Sequence, residues 1–490
     1  MKRIKNCLAG IVSVLMLTSC TANATYEGFV IPDQGGSTLT PVTEYSRTLD
    51  LDDICPEEET ISEYTSDDGL CVIEKKKHYY EVTLDLEKGD HYKAGAAYAD
   101  AILKAAPDFG ESFEPYLFEN ITMAFSEANE ESFKSLTERV TALKNSLEEE
   151  YRLEAEGFAD RISGGVHGFS KDGIISYEEA LTLQMVPDAL RGTSCSAVSL
   201  DESRTVSGKR ISARILEWLT GSSDQISQIQ TVLKYKNGDR SVTTVSALGL
   251  LDAISGFNEN GVLAGILDVG GTNQCEYTYE GKTCYTFALR HALENSVNAR
   301  DVAEYMLAGS DKFTYSHNIY VTDEKDAFCV ENSANELLGK ARIRTESTPL
   351  RPDYANSPDG AFFVVNCYVS EGSPDKSAFD LRNLVRWRKM SEWFAGDEKF
   401  TSGSFRSRLA SETKENYDRD LPVEGADADA FHVLVIDYST GEVCASFYRP
   451  DDEAGIPEYI KIAKIKRQIN TEQKIQTEKT ASLKTVPLLI

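Results

Sequence analysis

Cys195 opens an apolar, strand-like segment, Ser196 to Leu200, directly after a loop containing Gly192-Thr193-Ser194. A second such segment, Ile211 to Leu216, runs into Glu217-Trp218. With the Ser207-Gly208 turn between them the two read as a hairpin, which sets Arg214 and Glu217 beside the thiol. A thiol titrates at about 8.5 and is mostly protonated at neutral pH, and a guanidinium beside it favours the thiolate. Were the chain cut between Ser194 and Cys195, the freed α-amine, titrating at about 8, would take the thiol proton and later return one to a leaving amine. No histidine is then required. Glu217 would hold Arg214 or the α-ammonium. A lone cysteine is more often a small buried hydrophobe or half of a disulfide, and Arg214 with Glu217 also fits an ordinary surface ion pair. The strand-start position beside that pair is what lifts Cys195 above those readings.

The elements that must position these groups fall into two textures. From 78 to about 160 the pattern is helical, with Phe133, Leu136, Val140, Leu143, Leu147 and Tyr151 at steps of three and four; the spacing predicts one long helix packed on a core. Glu131, Lys134, Glu138, Lys144 and Glu148 form its solvated face. After Cys195 strands dominate. Thr231 to Tyr235 pairs with Ser241 to Val245 across Asn237-Gly238, Val262 to Leu267 is an apolar strand, and Asn318 to Val330 has a hairpin pattern. Helices are expected near 285–296, 300–309 and 379–393, a strand at Ala361 to Val365, and a last hairpin from His432 to Tyr448. Strand blocks with helices between them predict an α+β fold of two packed sheets covered by helix layers. Beyond Pro450 the chain turns polar and basic, and residues 451–490 read as a mobile tail in which Ile460-Ile462-Ile465 allow one short helix.

The amino terminus has the order of a lipoprotein signal: Lys2, Arg3 and Lys5, an apolar run from Leu8, then Leu17-Thr18-Ser19-Cys20. That run, roughly 10 residues, is too short to span a bilayer. The expectation is removal of residues 1–19, a lipid on Cys20, a tether over 20–45, and a body held outside the cytoplasm at a membrane face; an ordinary secretory signal is the other reading. A net charge of -28 argues against nucleic acid as a partner. In an oxidising location Cys55 with Cys71, and Cys275 with Cys284, would close short loops. No His/Cys set has metal-ligand spacing, so neither a metal nor another cofactor is expected.

Residues from about 80 to 450 resemble the penicillin acyltransferase (peptidase C45) family, within the choloylglycine-hydrolase-like group of N-terminal-nucleophile hydrolases. The matching pieces are Ser194-Cys195-Ser196-Ala197, Arg214-x-x-Glu217-Trp218, the turn Gly256-Phe257-Asn258-Glu259-Asn260-Gly261-Val262, and Val365-Asn366-Cys367-Tyr368. The closing strands from His432 to Tyr448 resemble the family's last hairpin. The resemblance implies a four-layer αββα sandwich over residues 195–450, preceded by a mostly helical pro-segment over 46–194, self-cleavage before Cys195, and hydrolysis or acyl transfer on linear amides of small N-acyl compounds. It implies that Asn366 supplies a side-chain N–H to the oxyanion, worth roughly 3 kcal/mol, and that a late arginine belongs to the site; the spacing does not choose between Arg382 and Arg386, and Arg386 is taken as the candidate. Two departures stand out. Glu217 replaces the family's usual Asp, and Asp268 falls where bile-salt hydrolases carry an asparagine. Two rival classes remain: a papain-like hydrolase pairing Cys195 with His291, His317 or His432, and a solute-binding lipoprotein in which Cys195 only packs.

Overall fold

The computed structural model describes residues 52–190, 193–269, 278–334, 340–413, 430–448 and 458–465. Cys20, the tether and Cys275 lie outside them. Three strands come first, β1 (Ser62–Thr65), β2 (Cys71–Lys75) and β3 (Tyr80–Asp85). The helical pattern expected from 78 therefore starts later. Tyr80, Val82 and Leu84 are buried in alternation with Glu81 and Thr83, a period of two that places this stretch in a sheet. Six helices follow: α1 (His91–Ala105), α2 (Phe109–Phe125), α3 (Glu130–Ser146), α4 (Glu149–Ser163), α5 (Tyr177–Leu183) and α6 (Val186–Ala189). The single long helix expected through Tyr151 is two helices. Leu147 is extended at φ -67°, ψ 152°, and Glu149 and Glu150 give α4 a first turn whose charge suits a helix start. Leu136, Val140, Leu143, Leu147 and Tyr151 nonetheless all remain buried in one core.

The rest of the chain supplies β4 (Thr193–Leu200), β5 (Ile211–Trp218), β6 (Gln230–Asn237), β7 (Arg240–Ala247), β8 (Ser255–Asn258), β9 (Leu263–Asp268), α7 (Tyr285–Asn295), α8 (Ala299–Ala308), β10 (His317–Thr322), β11 (Ala327–Asn332), β12 (Arg342–Arg344), β13 (Ala361–Val364), α9 (Leu381–Trp393), α10 (Ser402–Thr413), β14 (Ala430–Asp437), β15 (Glu442–Phe447) and β16 (Ile460–Lys464). Among the described residues these strands make a mixed helix-and-sheet molecule with two sheets. One has the order β1-β2-β3-β6-β7-β8-β9-β10-β11-β12 and the other β13-β4-β5-β14-β15-β16. The segment before Cys195 thus enters the larger sheet through β3, which pairs with β6 in parallel from Tyr80↔Thr231 to Asp85↔Lys236.

The smaller sheet is dry on both faces. Ala197, Leu216, Leu434 and Ala445 join the core cluster that contains the larger sheet, whereas Val198, Ala213, Ile215 and Val435 pack with Trp387, Met390, Phe405 and Leu409 from α9 and α10. Alternation along β4 and β5 decides which cluster each side chain enters.

Two expectations are corrected here. Cys55 is bonded to Cys444, not to Cys71; Cys71 and Cys284 are free and buried. Spacing favours short loops, but the fold lays residues 55–56 along β15 and β16, where the Cys55 N–H donates to Glu442 Oε1 (3.0 Å) and the Lys461 N–H to the Pro56 carbonyl (2.7 Å). The region of Ile460 is a strand rather than a helix. Ile460 and Ile462 are buried, Lys461 is partly exposed and Lys464 exposed, so a period of two again overrides a pattern too short to discriminate. No helix among the described residues is long and apolar enough to cross a membrane.

Candidate active site

β4 and β5 pair antiparallel with Ser194 opposite Glu217, Cys195 opposite Leu216, and Ala197 opposite Arg214. Cys195, Ala197, Arg214 and Leu216 therefore share the face turned to the larger sheet. Cys195 and Arg214 are both fully buried. The guanidinium Nη2 donates to Cys195 Sγ (3.1 Å) and to the Ile266 carbonyl (2.5 Å), and Nη1 donates to the carbonyl of Ile215. Arg214 reaches β9 because Gly265 leaves a bay there: a Cβ on Gly265 would lie 2.6 Å from Arg214 Cγ and 2.9 Å from Cδ.

Among the described residues the hydrogen bonds of Arg214 run to two carbonyls and one sulfur, and Nε has none. A buried cation is normally matched by an anion. The group placed to become that anion is the Cys195 thiol. Burial pushes this thiol above its ordinary pKa, and Arg214 pulls it back down.

The nitrogen of Cys195 is held as closely as its sulfur. Its N–H donates to Asn366 Oδ1 (2.7 Å), and Asn366 Nδ2 donates to the Asp268 carbonyl (2.6 Å). Since an N–H must meet an oxygen and a carbonyl must meet an N–H, the two partners fix the carboxamide's orientation. Sequence reasoning gave Asn366 an N–H for an oxyanion; here its oxygen faces Cys195 and anchors that residue's nitrogen. Asp268 is buried at the end of β9 and enters through its backbone carbonyl, while its carboxylate accepts from Tyr285 Oη (3.4 Å).

Glu217 and Arg386 lie on the other face of the smaller sheet. Positions 214 and 217 are an odd number apart on a strand, so their side chains point to opposite sides; Glu217 faces α9 and pairs with Arg386 Nη1 (3.2 Å). That is a different arrangement from the Arg214–Glu217 pair suggested by their closeness in sequence. Arg386 also donates to the Cys195 carbonyl (2.8 Å), and its Nη2 to Asn383 Oδ1 (2.9 Å). Asn383 in turn donates to the Asn366 carbonyl (3.3 Å). Arg382 sits elsewhere, 42% exposed beside Asp380. Sequence reasoning did not single out Gly265, Asn383 or Tyr285. A glycine inside the apolar strand Val262 to Leu267 was the available signal for the first.

The three histidines of the rival reading are engaged away from Cys195. His291 Nδ1 meets Tyr151 Oη (3.2 Å) and Glu148 (3.0 Å). His317 bonds the Tyr315 carbonyl (2.9 Å) and Asn332 (3.1 Å), and burial pushes its pKa down to about 3. His432 lies in the same cross-strand row as Cys195, but Leu216 stands between them. Two strand spacings, about 10 Å, exceed any hydrogen bond, and His432 Nε2 is paired with Ser255 Oγ (3.0 Å).

No protein-family model matches the sequence, and no curated protein matches it. Solved structures similar to the chain include a Caenorhabditis elegans N-acylethanolamine-hydrolyzing acid amidase ortholog, at 14% identity and TM-score 0.32 over 49% of this chain and 92% of that one. A variant of conjugated bile acid hydrolase from Clostridium perfringens matches at 13% identity and TM-score 0.35, over 56% of this chain and all of the other. Penicillin V acylase from Agrobacterium tumefaciens matches at 13% identity and TM-score 0.33, over 55% and 86%. Likenesses at this level do not assign a reaction to the chain, and the geometry around Cys195 has to do so.

Proposed function

We propose that this chain is a cysteine N-terminal-nucleophile hydrolase that cuts itself between Ser194 and Cys195 and then cleaves linear amide bonds of N-acyl compounds. The observation that carries the reading is the buried Arg214, with the Cys195 thiol as its one hydrogen-bond partner able to become an anion. The Asn366 anchor on the Cys195 nitrogen supports it. In the first step Sγ attacks the Ser194 carbonyl carbon, the Cys195 nitrogen leaves carrying the thiol proton, and water opens the resulting thioester. The freed α-amine stays at Asn366 Oδ1. In turnover it takes the thiol proton, Sγ adds to the substrate carbonyl, and the leaving amine departs with that proton. Water or a second amine then takes the acyl group from sulfur. Arg214 lowers the cost of the thiolate, while Arg386, held by Glu217, donates to the Cys195 carbonyl and thereby holds the strand end.

The motif resemblance supports the acyl-amide substrate class and an αββα layering of the two sheets, with α7 and α8 outside the larger and α9 and α10 outside the smaller. Anchoring through a lipid on Cys20 is part of the same proposal and rests on the Leu17-Thr18-Ser19-Cys20 box. The test is intact-mass analysis of reduced, purified protein alongside a screen of N-acyl amino acids, bile-salt conjugates and penicillins. A fragment beginning at Cys195 is expected, with Cys195→Ala neither cut nor active. A single uncut chain with full amidase activity would refute the mechanism.

A further inference from the structure

We infer that the segment before Ser194 is retained after cleavage as a permanent, covalently attached subunit, linked to the catalytic piece by the Cys55–Cys444 disulfide. This rests on the proposed cut. The bridge joins residues 389 apart in sequence, one on each side of the Ser194–Cys195 bond. Hydrolysis of that bond thus leaves two polypeptides with one disulfide between them. Both half-cystines are buried at 2% exposure, so in the folded protein the bond is screened from soluble thiols. An exported protein would keep it oxidised.

Two independent contacts give the retained piece a role. Glu154 of α4 and Arg290 of α7 form an ion pair in which both side chains are fully buried; separating the pieces would break that contact and leave Glu154 with His91 and Arg290 with Glu294 alone. Closer to the chemistry, Asp188 of α6 accepts from the Tyr285 N–H (2.7 Å) and Thr286 Oγ1 (2.6 Å) at the start of α7. The adjacent Pro187 carbonyl accepts from Tyr285 Oη (2.8 Å). That same Tyr285 hydroxyl reaches Asp268, whose carbonyl holds Asn366, whose Oδ1 holds the Cys195 nitrogen. The last turn before the cut therefore supports the residues that orient the new amino terminus. Losing the piece would remove support from the nucleophile it had just released.

The experiment uses full-length exported protein, blocked with iodoacetamide and then denatured, with intact mass and gel migration read with and without reductant. Without reductant one species containing both pieces is expected, and with reductant two, the larger starting at Cys195. Cys444→Ser should give two pieces under both denaturing conditions, while gel filtration of the native variant still shows them co-eluting. Two separate pieces without reductant in the wild type would overturn the covalent link. A Cys444→Ser sample that still needs reductant to separate would overturn this particular bridge. Separate elution of the native Cys444→Ser pieces would overturn the retained, docked subunit. A single uncut chain after reduction removes the cut itself, and is distinguishable because no reductant then produces fragments.

Discussion

Gly265→Ala tests whether Arg214 serves Cys195 or merely packs there. The new Cβ would lie 2.6 Å from Arg214 Cγ and 2.9 Å from Cδ, against an ordinary carbon contact of about 3.5 Å. The stem must therefore give way by up to about 1 Å. The head moves with the stem, and Nη2, which donates to both the Ile266 carbonyl and the thiol, is carried off the sulfur, stretching that contact from 3.1 Å to beyond hydrogen-bonding range. A hydrogen bond from a charged donor contributes about 1.5–3 kcal/mol, equivalent to roughly one to two pKa units. At a pH well below the thiol's pKa, the thiolate population and the rate that depends on it should fall about 10- to 100-fold. Self-cleavage supplies the assay without any substrate: cell-free synthesis followed by timed intact-mass sampling from pH 6 to 9. Arg214→Gln should show a similar loss, and the double variant no more than the larger single loss, because both act through one contact. Thermal unfolding of each variant separates this from overpacking, which alone costs about 1–3 kcal/mol of stability. Wild-type maturation by Gly265→Ala, or losses that multiply in the double variant, would refute the reasoning.

Two further outcomes follow from the buried charges. Glu154→Gln removes the fully buried carboxylate that faces Arg290 and leaves Glu294 at its Nε, so denaturant titration should show the loss of one charge-assisted contact, about 1.5–3 kcal/mol; a change under 1 kcal/mol would mean the pair adds little to the docking of α4 on α7. Complete burial pushes the Asp252 carboxyl up to about 7, above its unfolded value of about 4. Between those two pH values the folded state holds a proton that the unfolded state has released, so stability should fall as pH rises from about 4 to about 7 and then level off, a loss of a few kcal/mol. Asp252→Asn should flatten that slope and be the more stable form at pH 8, and an unchanged pH–stability profile would contradict the assignment.

Much of the strand layout was legible because these strands are short apolar runs bounded by turn residues. β5 and β9 are buried along their whole length, as such runs imply. Two features were not legible. Leu147 has the same spacing to its neighbours whether the helix continues or breaks, since it is buried in either case; periodicity reports the face and not the continuity of an element. Cys55 finds its partner through a sheet assembled from the far end of the chain, and no local spacing encodes that contact. The site divides in the same way. Residue type picked out Cys195, Arg214, Glu217, Asn366 and Arg386, but the orientation of the Asn366 carboxamide depends on the Asp268 carbonyl, a backbone group that sequence does not display.

The odd spacing of Arg214 and Glu217 also explains how a buried thiol can sit between opposing charges without being neutralised by them. Were the two side chains on one face, the carboxylate would pair with the guanidinium and cancel the field that favours a thiolate. The strand's alternation sends Glu217 to α9, where Arg386 meets it, and leaves Arg214 facing the larger sheet with, among the described residues, two carbonyls and the sulfur as hydrogen-bond partners. Glu217 still raises the thiol's pKa through space, but it ranks below both burial and Arg214 among the causes. The length of the Glu217 side chain thus serves a reach toward α9, on the side of the sheet away from the sulfur, and bears on the support of the strand more than on the charge that the thiol feels.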